Sequence, residues 1–392
     1  MTAGSIIQLT AKGSIDAILT SNPQISFFKQ VFRRTTNFSM ECIEQDVTGI
    51  SATCGRFKVS ISKCGDLLSK LYVEAGLYPN LCDVSYTDTN SVALNIENSK
   101  AYNILKYVDL IIGGEVIDTL TFDWMSIHNN IRTPLEKKLQ LSRLLNGQNE
   151  DGTIYIPLHF WFCEQISDAL PILALQYNDI HLIFHLHDHA STIVDLQTIR
   201  VFGEYIFVEN SERKRFTSCT KDYLITQVQT QGPIMYTDSD NLDINLRFSH
   251  PVKEIFWTVG DMTNPSAVKY ETITHGSLEI NGVRRCERRQ GSYFTHYQMY
   301  RYYDGIPFSV AAYDSYTDAK ISLRNNIHCY SFCLFPLKSQ PSGSCNFSEL
   351  DSAVLYLKLK PGPGTPRAVN IYAINYNVFR IENGVGFIVY AN

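Results

Sequence analysis

Short runs in which apolar and polar residues alternate recur along most of the chain. Between Arg56 and Ser62, for example, Phe57, Val59 and Ile61 fall on one face and polar residues fall on the other. This period of two is typical of a half-buried β-strand. The pattern predicts further strands at residues 67–78, 106–112, 115–120, 155–163, 172–186, 198–208, 224–229, 242–248 and 252–259.

One segment has a different period. Between residues 122 and 145 the apolar side chains recur every three to four positions, as in an amphipathic helix, and Pro134 interrupts the run. We therefore predict one or two helices inserted among the strands. Residues 80–100 are polar and rich in turn formers, which indicates a surface loop, and residues 209–221 are the most polar stretch in mid-chain, where we place a link between domains.

The N-terminus is predicted to be an arm. Residues 1–24 are mostly small and polar and end in the turn signal Ser21-Asn22-Pro23. Arms of this kind usually become ordered only against a neighbour. The following run, Ile25 to Phe38, is dense in aromatic and β-branched residues and is predicted to be a strand.

The second half of the chain repeats features of the first half at a nearly constant offset. Residues 110–114 (LIIGG) are echoed by 278–282 (LEING), residues 160–163 (FWFC) by 330–333 (YSFC), and residues 201–205 by 371–375. Aliphatic strands at 179–186 and 353–360 add a fourth pair. The pattern predicts two copies of one all-β domain with about eight short strands each, at the spacing of a sandwich.

Length and composition agree with two domains and exclude some functions. The chain has 392 residues, of which 44% are hydrophobic and 19% charged, enough for two buried cores. Its net charge of −5 argues against a nucleic-acid coat, which needs a basic surface. We find neither an apolar run of membrane-spanning length nor a secretory signal pattern. The ten cysteines lack a repeated spacing and are interpreted as mostly buried thiols from a reducing cytoplasm.

Three closely spaced histidines are the strongest indication of a metal site in the sequence. On a strand, His185, His187 and His189 would share one face, and imidazoles two residues apart can bind zinc. However, the glutamate and second histidine motif of a cupin metal site are missing. A surface or interface histidine cluster, protonated near pH 6, is therefore the preferred interpretation, with a metal site as the alternative.

Other candidate groups favour structural roles. The arginines at 284, 285, 288 and 289 form a short basic patch that indicates a solvated face or an ion-pair contact between subunits, as does the basic segment 213–215. Cys329 and Cys333 are interpreted as packed thiols. The sequence contains no motif of a catalytic serine, a phosphate-binding loop or a zinc protease, so we predict no catalytic site, no cofactor and no enzymatic activity. Asn37 and Asn346 fit the glycosylation pattern, but we expect both to be buried or structural and unmodified.

Six longer segments carry a family resemblance. The first is NPQISFFKQVFRRTTNF at residues 22–38. The others are IYIPLHFWFC at 154–163, ALPILALQY at 169–177, FSHPVKEIFW at 248–257, QPSGSCNFS at 340–348 and YAINYNV at 372–378. These segments resemble the double jelly-roll major capsid proteins of large DNA viruses of the chlorella-virus, iridovirus and mimivirus-like groups, and the resemblance extends over nearly the whole chain.

The resemblance implies an all-β fold of two tandem eight-stranded jelly rolls, with the helical insert in the first. The expected organisation is an arm at 1–24, a first jelly roll at 25–210, a link at 211–221 and a second jelly roll at 222–392. The implied function is a structural, non-enzymatic capsid protein whose homotrimers form pseudo-hexagonal capsomers that tile an icosahedral shell.

The resemblance also implies the partners and the location. The partners would be further copies of the chain, neighbouring capsomers, and minor capsid proteins or an inner membrane layer contacted through residues 1–24, with no direct contact to nucleic acid. The protein would be found in the virion and assembled in the host cytoplasm. Two alternatives stay open at this point: a minor capsid paralogue of the same fold, and a tandem jelly-roll protein that binds or cleaves carbohydrate.

Overall fold

The computed structural model describes residues 3–51, 55–78, 99–148, 151–218, 220–236, 240–261, 269–271, 273–304, 309–310, 321–322, 326–360 and 367–390. Contacts divide the chain into two compact units, Met1–Asn37 and Phe38–Asn392. We call them the arm and the body. The predicted surface loop at 80–100 lies almost entirely outside the described residues.

The arm contains two short helices, α1 (Ala3–Thr10) and α2 (Ser14–Thr20). The strand predicted at Ile25 to Phe38 is wrong up to residue 37, since the first strand begins at Phe38. The aromatic residues of this run, including Phe27 and Phe28, are exposed, and no strand among the described residues pairs with the run, so its β propensity is not stabilised by a sheet. The boundary between the arm and the body therefore falls after Asn37 rather than at residue 24.

The first half of the body is a sandwich of two antiparallel sheets. One sheet has the strand order β1-β9-β4-β7, and the other has the order β2-β3-β8-β5-β6. The strands are β1 (Phe38–Glu44), β2 (Asp46–Thr48), β3 (Arg56–Ser60), β4 (Leu67–Gly76), β5 (Leu105–Ile112), β6 (Glu115–Thr121), β7 (Thr153–Pro157), β8 (Ile180–Leu186) and β9 (Arg200–Val208).

The second half has the same arrangement. One sheet contains the path β10-β21-β12-β13, with β18 and β19 also paired to β12 and β22 paired to β21. The facing sheet has the order β11-β20-β14-β15, and β16 pairs separately with β17. The strands are β10 (Lys221–Tyr236), β11 (Asn241–Asn245), β12 (Pro251–Asp261), β13 (Lys269–Glu271), β14 (Ile273–Ile280), β15 (Val283–Gln290), β16 (Ser309–Val310), β17 (Ile321–Ser322), β18 (Ile327–Ser331), β19 (Cys345–Asn346), β20 (Ala353–Leu359), β21 (Arg367–Glu382) and β22 (Val385–Ile388).

The two sandwiches are topological copies. The path β1-β9-β4-β7 corresponds to β10-β21-β12-β18, and β3-β8-β5-β6 corresponds to β11-β20-β14-β15. This pair of four-stranded sheets is the jelly-roll arrangement. The all-β, double jelly-roll fold predicted from the sequence is therefore confirmed.

The repeated turn between the fifth and sixth strands of each sandwich shows the duplication at single-residue level. Gly113 and Gly114 connect β5 to β6 with φ values of +64° and +90°, while Asn281 and Gly282 connect β14 to β15 with +49° and +75°. Two-residue hairpins require a positive φ at both positions, which glycine and asparagine tolerate. The sequence echo at 110–114 and 278–282 thus reflects equivalent turns.

Helices occupy the predicted insert. Helix α4 (Phe122–Arg132) follows β6 directly and α5 (Leu135–Asn146) follows Pro134, so the two helices and the break between them are confirmed. The shorter helices of the body are α3 (Lys100–Ile104), α6 (Trp161–Glu164), α7 (Asn210–Thr217) and α8 (Gln298–Tyr302), the last preceded by a π-helical turn at Tyr293–Tyr297. None of the described helices is long and apolar enough to cross a membrane.

One strand prediction needs correction here, and the predicted link contains a helix. The strand predicted at 155–163 ends at Pro157, and residues 161–164 form α6, so their echo at 330–333 is not an equivalent strand. Much of the predicted link is helix α7, whose Arg213 donates a hydrogen bond to Asp66 at 2.9 Å. Since residues 38–392 form one contact unit, the division of the body at 211–221 stays a prediction.

The hairpin at Gly113 yields a stability test. A Cβ at Gly113 would lie 2.2 Å from the Asn178 amide nitrogen, whereas a Cβ at Gly114 meets nothing within 4 Å. Both alanine variants carry backbone strain of about 1 kcal/mol, but only Gly113→Ala must also displace Asn178. We expect Gly113→Ala to lower the free energy of unfolding clearly more than Gly114→Ala in urea denaturation. Equal losses would contradict the described packing of this turn.

Candidate assembly site at the junction of the two sandwiches

The two sandwiches are joined by a continuous apolar core. Trp124 of α4 packs against Phe256 of β12 and Tyr372 of β21, with ring centroids 5.3 and 5.6 Å apart. Trp161 of α6 lies 6.0 Å from Phe379. The main buried cluster of the first sandwich therefore extends into β12, β18 and β21 of the second, which also has a separate core of its own. We call this contact region the junction.

Hydrogen bonds to backbone groups fix the register of the junction. The Gln227 side chain donates to the Ile117 carbonyl at 2.5 Å, and the Asp118 carboxylate accepts from the Val228 amide at 3.5 Å. At the C-terminal hairpin, Asn178 donates to the Gly386 carbonyl at 2.9 Å. These contacts connect β6 and the segment before β8 to strands more than a hundred residues away. Such bonds have defined geometry, so they fix how one sandwich meets the other.

A charged network lies in the same junction. Arg132, the last residue of α4, is 3.3 Å from a Glu164 oxygen and 3.4 Å from a Glu254 oxygen. Glu254 is fully buried, accepts a short hydrogen bond from the Tyr303 hydroxyl and lies 3.7 Å from Lys253. Because each carboxylate has a cationic or hydrogen-bonding partner, the network compensates the cost of burying its charges.

The electrostatics of the network follow from burial and these neighbours. Burial would raise the pKa of Glu164, but His128 and Arg132 outweigh it and hold that pKa well below the usual range. Burial together with Glu254 raises the pKa of Tyr303. Burial lowers the pKa of Lys253, although Glu254 opposes that shift. The carboxylate of Glu164 therefore stays ionised in the folded chain.

Two histidines face the Glu164 carboxylate. His128 Nε2, on α4, is 3.0 Å from Glu164 Oε1, and His159 Nδ1 is 3.8 Å from the same oxygen. Burial lowers the pKa of both imidazoles, that of His159 to about 3. Among the residues that the structure describes, these three are the one group of three histidine, cysteine or acidic side chains whose potential ligand atoms all lie within 4.8 Å of one another.

A groove of about 460 Å³ opens beside the network. It is lined by side chains of both sandwiches, among them Arg132, Glu164, Lys253 and Tyr376, and by the loop at residues 336–341. Its walls mix positive and negative groups, so it lacks the single-sign lining of a nucleic-acid channel.

The predicted histidine trio is not brought together. Strand β8 ends at Leu186, so His187 and His189 do not continue the face of His185. His185 stacks on Tyr107 at 4.0 Å and lies 3.5 Å from Asp109, while His187 and His189 stack on each other at 5.4 Å. The strand geometry on which the metal alternative depended is therefore wrong.

The predicted basic patch is exposed, and the two predicted packed cysteines are buried. The four arginines, at 284, 285, 288 and 289, are exposed on β15, at the edge of its sheet, and Arg289 lies 5.6 Å from the Tyr293 ring. Cys329 and Cys333 are buried thiols whose pKa is raised by burial.

Neither glycosylation asparagine is buried, which corrects that part of the prediction. Asn37 and Asn346 are both exposed, although the Asn346 side chain accepts a hydrogen bond from the Ser348 amide at 3.1 Å. Asn346 therefore has the structural role expected of it. Whether either residue is modified stays a prediction.

Sequence reasoning missed the Arg132, His128, His159 and Glu164 group. One signal was available: His128 and Arg132 are one turn apart on a helix whose residues 122 and 124–131 are all buried. Polar residues four positions apart on such a buried helix must find polar partners. The partners on α6 and β12 could not be identified without the fold.

Comparisons with known proteins agree with this architecture. A family model described as the N-terminus of a major capsid protein matches residues 26–225, and a model of the large eukaryotic DNA virus major capsid protein matches residues 212–387. The major capsid protein of Pyramimonas orientalis virus is 33% identical over 413 residues, which cover 99% of this chain and 100% of the relative. That of Paramecium bursaria Chlorella virus 1 is 31% identical over 463 residues, covering 100% of both chains.

Solved structures show the same likeness. VP54 of PBCV-1 matches with a TM-score of 0.74 and 27% identity, over 94% of this chain and 100% of the other. The Faustovirus major capsid protein, at 12% identity and a TM-score of 0.64, covers 95% of this chain and 96% of its own, and supports the fold alone.

Two tandem jelly rolls joined through one core define a double jelly-roll capsid protein. By its family models and relatives, this chain belongs to the major capsid proteins of large eukaryotic DNA viruses, which build the capsid of the virion.

The buried charge network predicts a large effect of Arg132→Met. The variant leaves Glu164 and Glu254 without their shared cation, and breaking a buried pair in this way costs about 3–5 kcal/mol. Thermal or urea unfolding should therefore show a strong loss of stability. Arg200→Met, which removes an exposed partner of Glu44, is the matched control and should cost less than about 1 kcal/mol. Similar losses in both variants would contradict the assigned network.

The burial of Asp118 predicts that this residue destabilises the folded chain as the pH rises, which is the opposite of ordinary acid denaturation. Burial raises the pKa of Asp118 in the folded chain from 3.8 to about 7. The folded chain therefore holds this proton more tightly than the unfolded chain, and the resulting contribution to the free energy of unfolding is complete below about pH 4 and is lost as the pH rises to 7. The difference in free energy of unfolding between Asp118→Asn and the native chain should therefore change in favour of the variant by about 2–3 kcal/mol when the pH is raised from 5 to 8. Urea denaturation at both pH values measures this gain. The control Asp179→Asn, at a side chain 79% exposed, should show no such gain. A pH-independent difference for Asp118→Asn would contradict the assignment.

Proposed function

We propose that three copies of this chain form a pseudo-hexagonal capsomer, and that such capsomers tile the icosahedral shell. The observation that carries the proposal is the duplication of one jelly roll within a single body. Both sandwiches share the strand order of their sheets, and the junction joins them through one core. Three chains would therefore present six similar lobes around a threefold axis.

A stable trimer needs an extensive interface. Obligate assemblies bury on the order of 2,000 Å² or more, with an apolar centre. The body exposes large apolar side chains that could supply such a centre, including Phe38 and Met40 on edge strand β1. Others are Val116, Leu144, Ile166, Tyr177, Leu224, Met235, Val283, Tyr297, Tyr300, Leu334, Phe335, Val385 and Tyr390. Those among them that lie together in a contiguous patch would supply the apolar centre of the trimer interface.

Contacts between capsomers are proposed to be smaller and more polar. The arginines on edge strand β15 suit this role, because exposed charges make weak contacts that can be corrected during assembly. The same edge would then be solvated in a free capsomer. This assigns the basic patch to the protein lattice rather than to nucleic acid.

The arm is proposed to contact a neighbouring layer. Within residues 3–37, the apolar side chains such as Ile18, Phe27 and Phe28 are exposed by more than 80%. The arm carries Lys12, Lys29, Arg33 and Arg34 against the single acid Asp16. The apolar side chains of residues 1–24, together with the basic residues that follow at 29–34, suit contact with minor capsid proteins or with an inner membrane layer that has acidic head groups.

The remaining elements of the proposal follow from a structural role. We assign no enzymatic activity, no cofactor and no direct contact with nucleic acid, and we place assembly in the host cytoplasm, where the thiols would stay reduced. We further propose the principal shell role rather than that of a minor paralogue. The support is that the relatives covering the whole chain at above 30% identity are named major capsid proteins.

Mass in solution tests the trimer. Analytical ultracentrifugation of the purified chain should give about three times the chain mass of 44.6 kDa, independent of concentration in the micromolar range. A species with the mass of a single chain at high concentration would contradict the proposed trimeric capsomer. A chain lacking residues 1–24 is the control: it should remain trimeric, because the arm is assigned to contacts outside the trimer. Normal particle assembly by that shortened chain would refute the role of the arm.

A further inference from the structure

His159 lies in a setting that the capsid role does not explain. Its Nδ1 is 3.8 Å from Glu164 Oε1, beyond hydrogen-bond length, and its Nε2 is buried without a partner. The Nδ1 of His128 is likewise buried and unpartnered. These two unpartnered nitrogens are the ring atoms that do not face Glu164. The opposite nitrogens, His128 Nε2 and His159 Nδ1, converge on one Glu164 oxygen, and it is this convergence that points to a ligand.

The spacing of the group matches tetrahedral coordination. Two ligand atoms bound at 2.0–2.1 Å in a tetrahedral arrangement lie about 3.3 Å apart. The His128 Nε2 and His159 Nδ1 atoms lie 3.0 and 3.8 Å from the shared Glu164 oxygen, on either side of that value. One ion between them would bond all three atoms, whereas in its absence His159 Nδ1, at 3.8 Å, is too far from the Glu164 oxygen to donate a hydrogen bond to it.

The geometry and chemistry point to a transition-metal site, and we propose that His128, His159 and Glu164 bind one zinc ion. Two imidazoles and a carboxylate are a common zinc donor set that leaves a fourth position for water.

The surrounding groups support the ligands. Arg132 lies 3.3 Å from Glu164 Oε2, the oxygen that does not face the histidines, and so orients the carboxylate. The nearby cations Arg132 and Lys70 oppose an additional positive charge. Glu254 pairs with Arg132 and compensates its charge, while Lys70 donates a hydrogen bond to the Cys163 carbonyl, which holds its ammonium group at that position.

The position of the site gives it a structural role. His128 belongs to the insert helix α4, while His159 and Glu164 belong to the segment after β7, and Arg132 continues from this group to Glu254 of the second sandwich. A bound ion would therefore connect the helical insert to the first sandwich beside the junction. This role concerns the folded chain and is independent of the trimer.

Metal analysis of an untagged protein provides the test. The chain is incubated with zinc sulfate, freed of excess ion by gel filtration and analysed by inductively coupled plasma mass spectrometry. We expect about one zinc per chain, a rise in melting temperature of about 3 °C or more with saturating zinc, and tetrahedral visible bands after substitution with Co²⁺.

Variants assign the ligands. His159→Gln should lose at least about nine-tenths of the bound zinc and the cobalt bands, while the double variant His187→Gln and His189→Gln, outside the cluster, should keep both. Should His159→Gln fail to fold, competition of the native chain with a zinc chelator replaces it, and zinc retained at submicromolar free concentration supports the site. Less than about a tenth of an ion per native chain, an unchanged melting temperature, or zinc loss in the control variant alone would overturn the proposal.

Discussion

The structure depends on how the two jelly rolls are held against each other. Each sandwich could bury its own apolar faces, yet the core of the first continues into β12, β18 and β21 of the second. Aromatic rings of α4 and α6 fill this contact, and hydrogen bonds from Gln227 and Asn178 to backbone carbonyls set its register. The relative placement of the lobes is thus fixed by packing and by directional bonds together.

The helical insert explains why the junction tolerates charge. Helix α4 brings Arg132 between carboxylates of both sandwiches, and Glu254 is fully buried on the far side. Buried ion pairs contribute little net stability, but their geometry is demanding. We interpret this network as a device for specificity: a shifted arrangement of the lobes would leave a buried carboxylate without its cation. For a capsid protein, a single lobe arrangement is what a regular lattice requires.

Much of the fold could be predicted from the sequence, because strand alternation and turn chemistry are local signals. The run at Arg56 to Ser62, the helix break at Pro134 and the paired turns at 113–114 and 281–282 all appear where the pattern placed them. The failures have physical causes. Residues 25–37 have β propensity, but they are exposed and pair with no strand of the part that the structure describes. Trp161 to Glu164 form a helical turn, and Trp161 packs from it against Phe379 in the junction. The junction network joins Arg132 to Glu254, 122 positions away, so a local pattern shows at most that His128 and Arg132 share one face of a helix and not which partners they meet.

Native-state hydrogen exchange measures the central claim, that the two sandwiches open as one unit, most directly. With increasing urea, the amides of β4 and β9 in the first sandwich and of β12 and β21 in the second should converge on the same opening free energy and the same urea dependence. If the strands of one sandwich exchange through a separate opening of much lower free energy, with a smaller urea dependence, the junction does not couple the lobes and this account of the structure is wrong.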